Sequence, residues 1–311
     1  MPDNLPGWIV RPARPDQYFA AVELLVGPGE LDGRLQRIAE WLDHLRSGVI
    51  DPAGLFVAED STGCRGAILG EVWPSRLGSL TLPELAQLPG ELVVALISAV
   101  CDWLLAQGCP LLQVQVDLHC RGQADALEQA GFYRATTIQR FTRSTAPWPE
   151  SAAQPRPRLT LCPIAPQDSV ASERFLHTFR QSGEQSLDVP EIGGVTDMDH
   201  LLRDFHPQQW RLLAWHQDSP VGVLILEPAE RPRTLMLAYL GLVPGWRGQG
   251  LGVPLVVTAV EQARQLGADW IELCADERNL PASRSYARAG FRVVGRRALF
   301  LRRAEAADPP P

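Results

Sequence analysis

A mixed-sheet α/β fold in two tandem copies is the fold class predicted by this 311-residue sequence, on three observations. The length exceeds one ordinary core at roughly 100–200 residues per domain. In each half an antiparallel start gives way to strands alternating with helices, the order of a mixed sheet flanked by helices. The halves also repeat one another. Gln107-Gly108-Cys109 returns as Leu266-Gly267-Ala268, Val116-Asp117 as Ala275-Asp276, and Ala130-Gly131-Phe132 as Ala289-Gly290-Phe291, all at one offset of 159 residues. A gapless offset over several elements indicates a duplicated domain.

In each half a strand and one or two helices precede a hairpin. Leu55-Phe56-Val57-Ala58-Glu59 through Gly66 aligns with Arg211-Leu212-Leu213-Ala214-Trp215 through Gly222 at an offset of 156, two strands joined by a polar turn in each case. In the second half the patterning predicts strands near 159–164, 210–216, 220–227, 234–243, 269–275 and 291–301, with helices near 168–182, 196–205, 250–266 and 280–289. Thr196 followed by Asp197 and Asp199 marks a helix start, and Pro254 stands early enough in its helix for the missing N–H to cost little. Between the halves the chain is rich in Pro and small residues. This divides it into a domain at 1–146, a linker at 147–157, a second domain at 158–303 and a disordered tail at 304–311.

Composition narrows the function. A hydrophobic fraction of 45% with 21% charged residues is that of an ordinary globular protein. A net charge of −7 gives no basic footprint for nucleic acid and mildly favours a cationic or amine-bearing substrate. The six cysteines are scattered without a Cys-x-x-Cys pair, which predicts reduced thiols and no metal site. Neither a signal peptide nor an 18-residue apolar run is read, so a cytoplasmic location without a membrane partner is the expectation.

The chemistry-bearing feature is Arg247-Gly248-Gln249-Gly250-Leu251-Gly252, between an apolar strand and a helical pattern. Glycines let the main chain approach an anion, and a starting helix turns unpaired N–H groups and its positive end toward the same point. Arg247 adds a permanent cation. The spacing fits neither the Gly-x-Gly-x-x-Gly dinucleotide turn nor the P-loop, and a short glycine-rich turn is also a plain strand-to-helix connection.

Together with Leu242-Val243-Pro244-Gly245-Trp246 before it, Asn279-Leu-Pro-Ala282, and Tyr286-Ala-Arg-Ala-Gly290-Phe291, this run closely resembles the GNAT superfamily of acyl-CoA-dependent N-acyltransferases. The full motif set covers 159–302, while 8–143 resembles the same fold without the binding motif. The chain is thus similar to tandem members of the superfamily, two GNAT-like domains each with a central mixed, mostly antiparallel sheet. The resemblance implies acetyl-CoA or another acyl-CoA as cofactor. It makes Arg247, Gly248, Gln249, Gly250, Leu251 and Gly252 the pyrophosphate loop, Leu242 and Val243 the edge that pairs with the pantetheine arm, and Asn279 a further cofactor contact. It makes Tyr286 the general acid. Asn279, Ala282 and Tyr286 stand at i, i+3 and i+7 on one helix face. A phenol of pKa about 10 can protonate a departing thiolate whose thiol lies near roughly 8.5. Packing of the ring in the core is the other reading of Tyr286.

No base is identified. Asp188 and Glu191, in the stretch 186–194, are candidates for holding or deprotonating an ammonium, as well as plain loop charges; Glu227, His216 and Tyr239 are alternatives on or near the central strands. In the first half Leu88, Pro89, Glu91 and Val93 replace Arg247, Gly248, Gly250 and Gly252, while Cys120 and Leu127 replace Asn279 and Tyr286. That half is expected not to bind CoA. The predicted function is an N-acetyltransferase moving the acetyl group directly from acetyl-CoA to an amine of a small molecule, peptide or protein. A non-catalytic acyl-CoA sensor or partner-binding module is the alternative, and a hydroxyl or thiol acceptor is the third reading.

Overall fold

The computed structural model describes residues 7–28, 31–83, 85, 87–147, 159–165, 167–183, 202 and 208–304. They form two compact units, one of residues 1–135 with 297–311, the other of 136–296.

In the first unit β1 (Ile9–Pro12), α1 (Tyr18–Val26) and α2 (Leu31–Ser47) precede the hairpin β2 (Leu55–Asp60) and β3 (Gly63–Val72). Then follow β4 (Leu77–Thr81), α3 (Gly90–Ala106), β5 (Leu111–Asp117) and α4 (Arg121–Gln129). β1 to β4 pair antiparallel in chain order and β4 pairs parallel with β5. Alternation along β3 sends Ile68 to the core under α3 and Ala67 and Leu69 to the core under α1 and α2.

Beginning with β6 (Tyr133–Ser144), the second unit continues with β7 (Thr160–Pro163), α5 (Ser169–Gly183), β8 (Trp210–His216), β9 (Ser219–Pro228) and β10 (Thr234–Leu242). It is completed by α6 (Gly252–Gln265), β11 (Trp270–Asp276) and α7 (Leu280–Arg288). Strand order is β7-β8-β9-β10-β11-β6, with only β10 and β11 parallel. Leu212, Leu224 and Leu226 meet α6 and α7 on one face, and Leu213, Val223 and Ile225 meet Phe175 and Phe179 of α5 on the other. The elements expected near 168–182, 210–216, 220–227, 234–243, 269–275 and 280–289 are present within two residues at their ends. The helix expected at 196–205 falls almost wholly outside the described residues, as do 148–157 of the linker and 305–311 of the tail.

The division at 1–146 and 158–303 does not coincide with these units, because each half gives its last strand away. β6 pairs antiparallel with β11, Ile138 opposite Asp276 through Ser144 opposite Trp270. β12 (Arg292–Arg303) pairs antiparallel with β5, Arg297 opposite Asp117 through Arg303 opposite Leu111. The two exchanges are equivalent. Arg302 of β12 donates to the Ala130 carbonyl at 3.1 Å beside Gly131, and Arg143 of β6 lies against Gly290, where an added Cβ would sit 3.3 Å from its Nε. Both glycines end their helices at positive φ, 82° and 87°. Because β6 and β12 carry the same pattern at the same spacing, the repeat cannot tell which copy of the sheet either one joins.

Cleavage of the full chain between residues 148 and 158 should therefore leave two fragments that co-elute at the mass of the intact protein on size-exclusion chromatography. They should separate only in denaturant.

Candidate active site

β10 pairs with β9 through Leu242, opposite Gly222, but with β11 only over Thr234, Leu235 and Met236. Beyond Met236 the two parallel neighbours part. A bulge at Ala238, between Leu237 and Tyr239, marks the divergence. The Val243 N–H donates to the Val221 carbonyl at 3.0 Å, so alternation turns the in-plane groups of Leu242 and Leu240 to the side that β11 has left. In the first unit β4 ends at Thr81, one residue past its pairing with β5.

A single 3-10 turn, Pro244–Trp246, leads from β10 to the glycine-rich loop. Gly248 and Gly250 adopt φ of 74° and 79°. Nothing lies within 4 Å of a Cβ built on either, so they are required for backbone conformation and not for room. At Gly252 a Cβ would stand 2.8 Å from Ser285 Oγ on α7, so any larger residue has to turn that hydroxyl aside. The Leu251 side chain is buried and anchors the loop in the core. Leu255 makes the first helical bond, to the Leu251 carbonyl at 3.0 Å, leaving the N–H groups of Gly252 and Val253 ahead of the ladder. The result is a turn of amides at the positive end of α6. In the first unit α3 starts at Gly90 directly after Pro89, and Leu88 packs where a Cβ on Gly66 would meet its Cδ1 at 2.5 Å. An apolar side chain and an earlier helix occupy the place of the turn.

Several expected residues stand differently. The Arg247 guanidinium turns away from the loop amides: Nε donates to the Leu242 carbonyl at 2.9 Å and Nη2 to the Ser182 carbonyl at 2.8 Å. It ties the loop to β10 and to the end of α5. Val243 differs from Leu242 at the N–H: that of Val243 is bonded to Val221 at 3.0 Å, whereas that of Leu242 faces the open edge, the Leu242 carbonyl being held by Arg247. Leu240, which the sequence reading did not select, shares the open edge with Leu242; strand alternation counted back from Val243 would have identified it. Gln249 folds its amide onto the Gly245 carbonyl at 2.7 Å. Asn279 caps α7, its Oδ1 accepting from the Ala282 N–H at 3.2 Å.

Tyr286 is 6% exposed. Its ring lies 5.5 Å from that of Phe141 and 6.1 Å from that of Phe291, centroid to centroid. Tyr239 faces α5, with its hydroxyl 2.9 Å from Ser182 Oγ and its ring 4.7 Å from Phe179. Glu227 is half-buried opposite Met236. His216, at the end of β8, sets its ring edge-on to Trp246 at 5.6 Å, and its buried Nδ1 has no hydrogen-bond partner among the described residues. Asp188 and Glu191 lie outside the described residues. Among the described residues no cluster of three or more His, Cys, Asp or Glu side chains could hold a metal, and no helix is long and apolar enough to cross a membrane.

One further residue organises the site. The Asp276 side chain is fully buried at the end of β11 and accepts from the Thr136 hydroxyl at 2.6 Å, the Arg278 N–H at 2.9 Å and Arg278 Nη2 at 2.6 Å. Burial pushes its carboxyl up, but the Arg278 guanidinium, the Thr136 hydroxyl and the Arg278 N–H outweigh it and hold the group below the usual carboxylate range.

A sheet opened along one strand, beside an amide turn that starts a helix, defines an α/β domain suited to an extended ligand with an anionic end. Residues 177–291, which hold the whole of this arrangement, match the acetyltransferase (GNAT) family. It is 31% identical over 134 residues to mycothiol acetyltransferase of Corynebacterium glutamicum, covering 41% of this chain and 44% of that one. It is 32% identical over 80 residues to the uncharacterized N-acetyltransferase YvbK of Bacillus subtilis, 26% of this chain and 51% of that one. The chain spans about half the length of these curated relatives. Among solved structures, a GCN5-related N-acetyltransferase from Sphaerobacter thermophilus superposes with a TM-score of 0.70 at 18% identity, covering 97% of this chain and 96% of that one. A tandem GNAT protein from the clavulanic acid biosynthesis pathway superposes at 0.59 and 14% identity, covering 97% and 100%.

Because the folded Asp276 carboxyl titrates below its unfolded value, its contribution is complete above the ordinary carboxylate pKa of about 3.9 and is lost as pH falls through the lower folded value. Asp276→Asn should cost on the order of 1 kcal/mol of stability at pH 7 given the half-open Arg278 side, read as a lower melting temperature. The deficit should shrink in melts taken progressively below pH 4.

Proposed function

We propose that the protein is an N-acetyltransferase that moves an acetyl group from acetyl-CoA directly to an amine. The observation that carries this reading is the open β10 edge running into the amide turn at the start of α6. The loop amides from Gly248 to Val253 receive the pyrophosphate, and the N–H and carbonyl of Leu240 and the N–H of Leu242 pair with the pantetheine arm. An edge N–H polarises the thioester carbonyl. The amine nitrogen attacks the carbonyl carbon, the carbon–sulfur bond breaks, and the sulfur leaves with the electron pair and takes a proton from the Tyr286 hydroxyl. Asp188, Glu191, Glu227, Tyr239 and His216 are the groups from which the base that accepts the amine proton is drawn. Arg247 serves through the loop that it holds, Gly252 and Leu251 through the placing of α6, and Asn279 through the start of α7. Relatives named mycothiol acetyltransferase are the reason to include mycothiol-related amines in the substrate panel.

Calorimetry on the full chain should give one acetyl-CoA per chain, since the first unit has Leu88 and Pro89 where the turn would be. Gly250→Glu adds a negative charge and a strained φ at the seat, and affinity should fall on the order of hundredfold. Incubation with a panel of amines should release free CoA, and Tyr286→Phe should slow that release roughly 10²-fold or more while leaving acetyl-CoA binding intact. Binding without release on any amine favours the sensor reading. Unchanged release in Tyr286→Phe removes it as the acid.

A further inference from the structure

The helix that carries Tyr286 is held in place by the first half of the sequence. Phe141, on β6, packs its ring on Tyr286 at 5.5 Å and stands opposite Leu273 of β11. Five residues earlier, the Thr136 hydroxyl holds the buried Asp276 carboxylate at 2.6 Å. Between them the Thr137 carbonyl accepts from the Glu277 N–H at 2.9 Å. Asp276 in turn accepts at its own carbonyl from the Asn279 N–H at 2.9 Å, and Asn279 caps α7. One strand therefore grips both ends of the lever, the turn that starts α7 and the ring seven residues farther on.

The repeat separates what is common to both units from what is special to this one. At the offset of 159, Phe141 corresponds to Phe300, which is buried in the same core cluster as Leu127, the counterpart of Tyr286. An aromatic wall at this place is part of the fold. Thr136 corresponds to Gly295, which has no side chain to offer. The hydroxyl anchor on the turn thus belongs to the unit that has the amide turn and the tyrosine.

We propose that Phe141 and Thr136 are positioning residues for Tyr286, so that the first half of the chain completes the acyl-transfer site with its last strand. This rests on the reading of Tyr286 as the acid. A ring packed against Phe141 and Phe291 takes its position from them, and a displacement of about 1 Å is enough to cost on the order of a hundredfold in rate.

The test is a double-mutant cycle on the full chain with an amine that the parent acetylates, reading kcat for CoA release and the calorimetric Kd for acetyl-CoA. Phe141→Leu keeps an apolar wall but frees the ring; Thr136→Val keeps the shape but removes the hydroxyl. Each should lower kcat roughly tenfold or more with Kd changed less than twofold, and Thr136→Ser should restore most of the loss. In the Tyr286→Phe background the same substitutions should change kcat by less than twofold, because residues acting through the hydroxyl have nothing left to position. A full additional loss in that background would overturn the proposal while leaving the acid in place, as would a parallel loss of acetyl-CoA binding. If Tyr286→Phe alone leaves kcat unchanged, or if the parent turns over no amine, the acid reading fails first and this proposal with it.

Discussion

Everything at the site depends on β10 and β11 parting after Met236. Sheets ordinarily satisfy every backbone group, and an open interior edge leaves N–H and C=O groups waiting for a partner. β9 stays paired with β10 on one side through Leu242, across the bulge at Ala238, while β6 stays paired with β11 on the other through Asp276. With both strands held from outside, the gap between them cannot close. The bulge at Ala238, the close approach of Gly222 to Gly241, where an added Cβ would run into the Gly241 carbonyl, and the Arg247 bonds to Leu242 and Ser182 all serve to hold that edge in place.

The first unit works as an internal control. It has the same hairpin, with a register shift at Ala58 and Glu59 matching that at Ala214 and Trp215, and the same parallel pair beside it. It keeps the buried position on the last helix, filled by Leu127 where the other unit has Tyr286. What it lacks is the long free edge and the glycine turn. Burial of that helix position is thus a property of the fold, and the hydroxyl is what distinguishes the second unit. The difference between the two units lies in a few backbone conformations more than in the framework.

Much of this was legible in the sequence, and the reasons for the rest are physical. Helix and strand limits followed from periodicity, and the turn at 248–252 from its glycines, because those signals are local. The strand exchange was not legible, since β6 and β12 carry interchangeable patterns. Nor was the direction of the Arg247 side chain: a cation beside a glycine loop reads as an anion ligand, whereas two carbonyls from β10 and α5, far apart in sequence, claim its donors. Asp276 was read only as one marker of the repeat, because its partner Thr136 lies 140 residues away. The choice between Leu240 and Val243 needed the strand register, which one hydrogen bond to Val221 settles.

The exchange of final strands also bears on how the molecule is made. Synthesis runs from the N-terminus, and domains commonly fold as they emerge. Here β5 of the first unit has no neighbour on its outer side until β12, ending at Arg303, has been synthesised. The second unit, by contrast, has β6 in hand from its beginning and can close as soon as α7 is complete. The unit encoded first is thus the one finished last, and through most of synthesis it presents the bare edge of β5, of the kind on which chaperones and stray strands act.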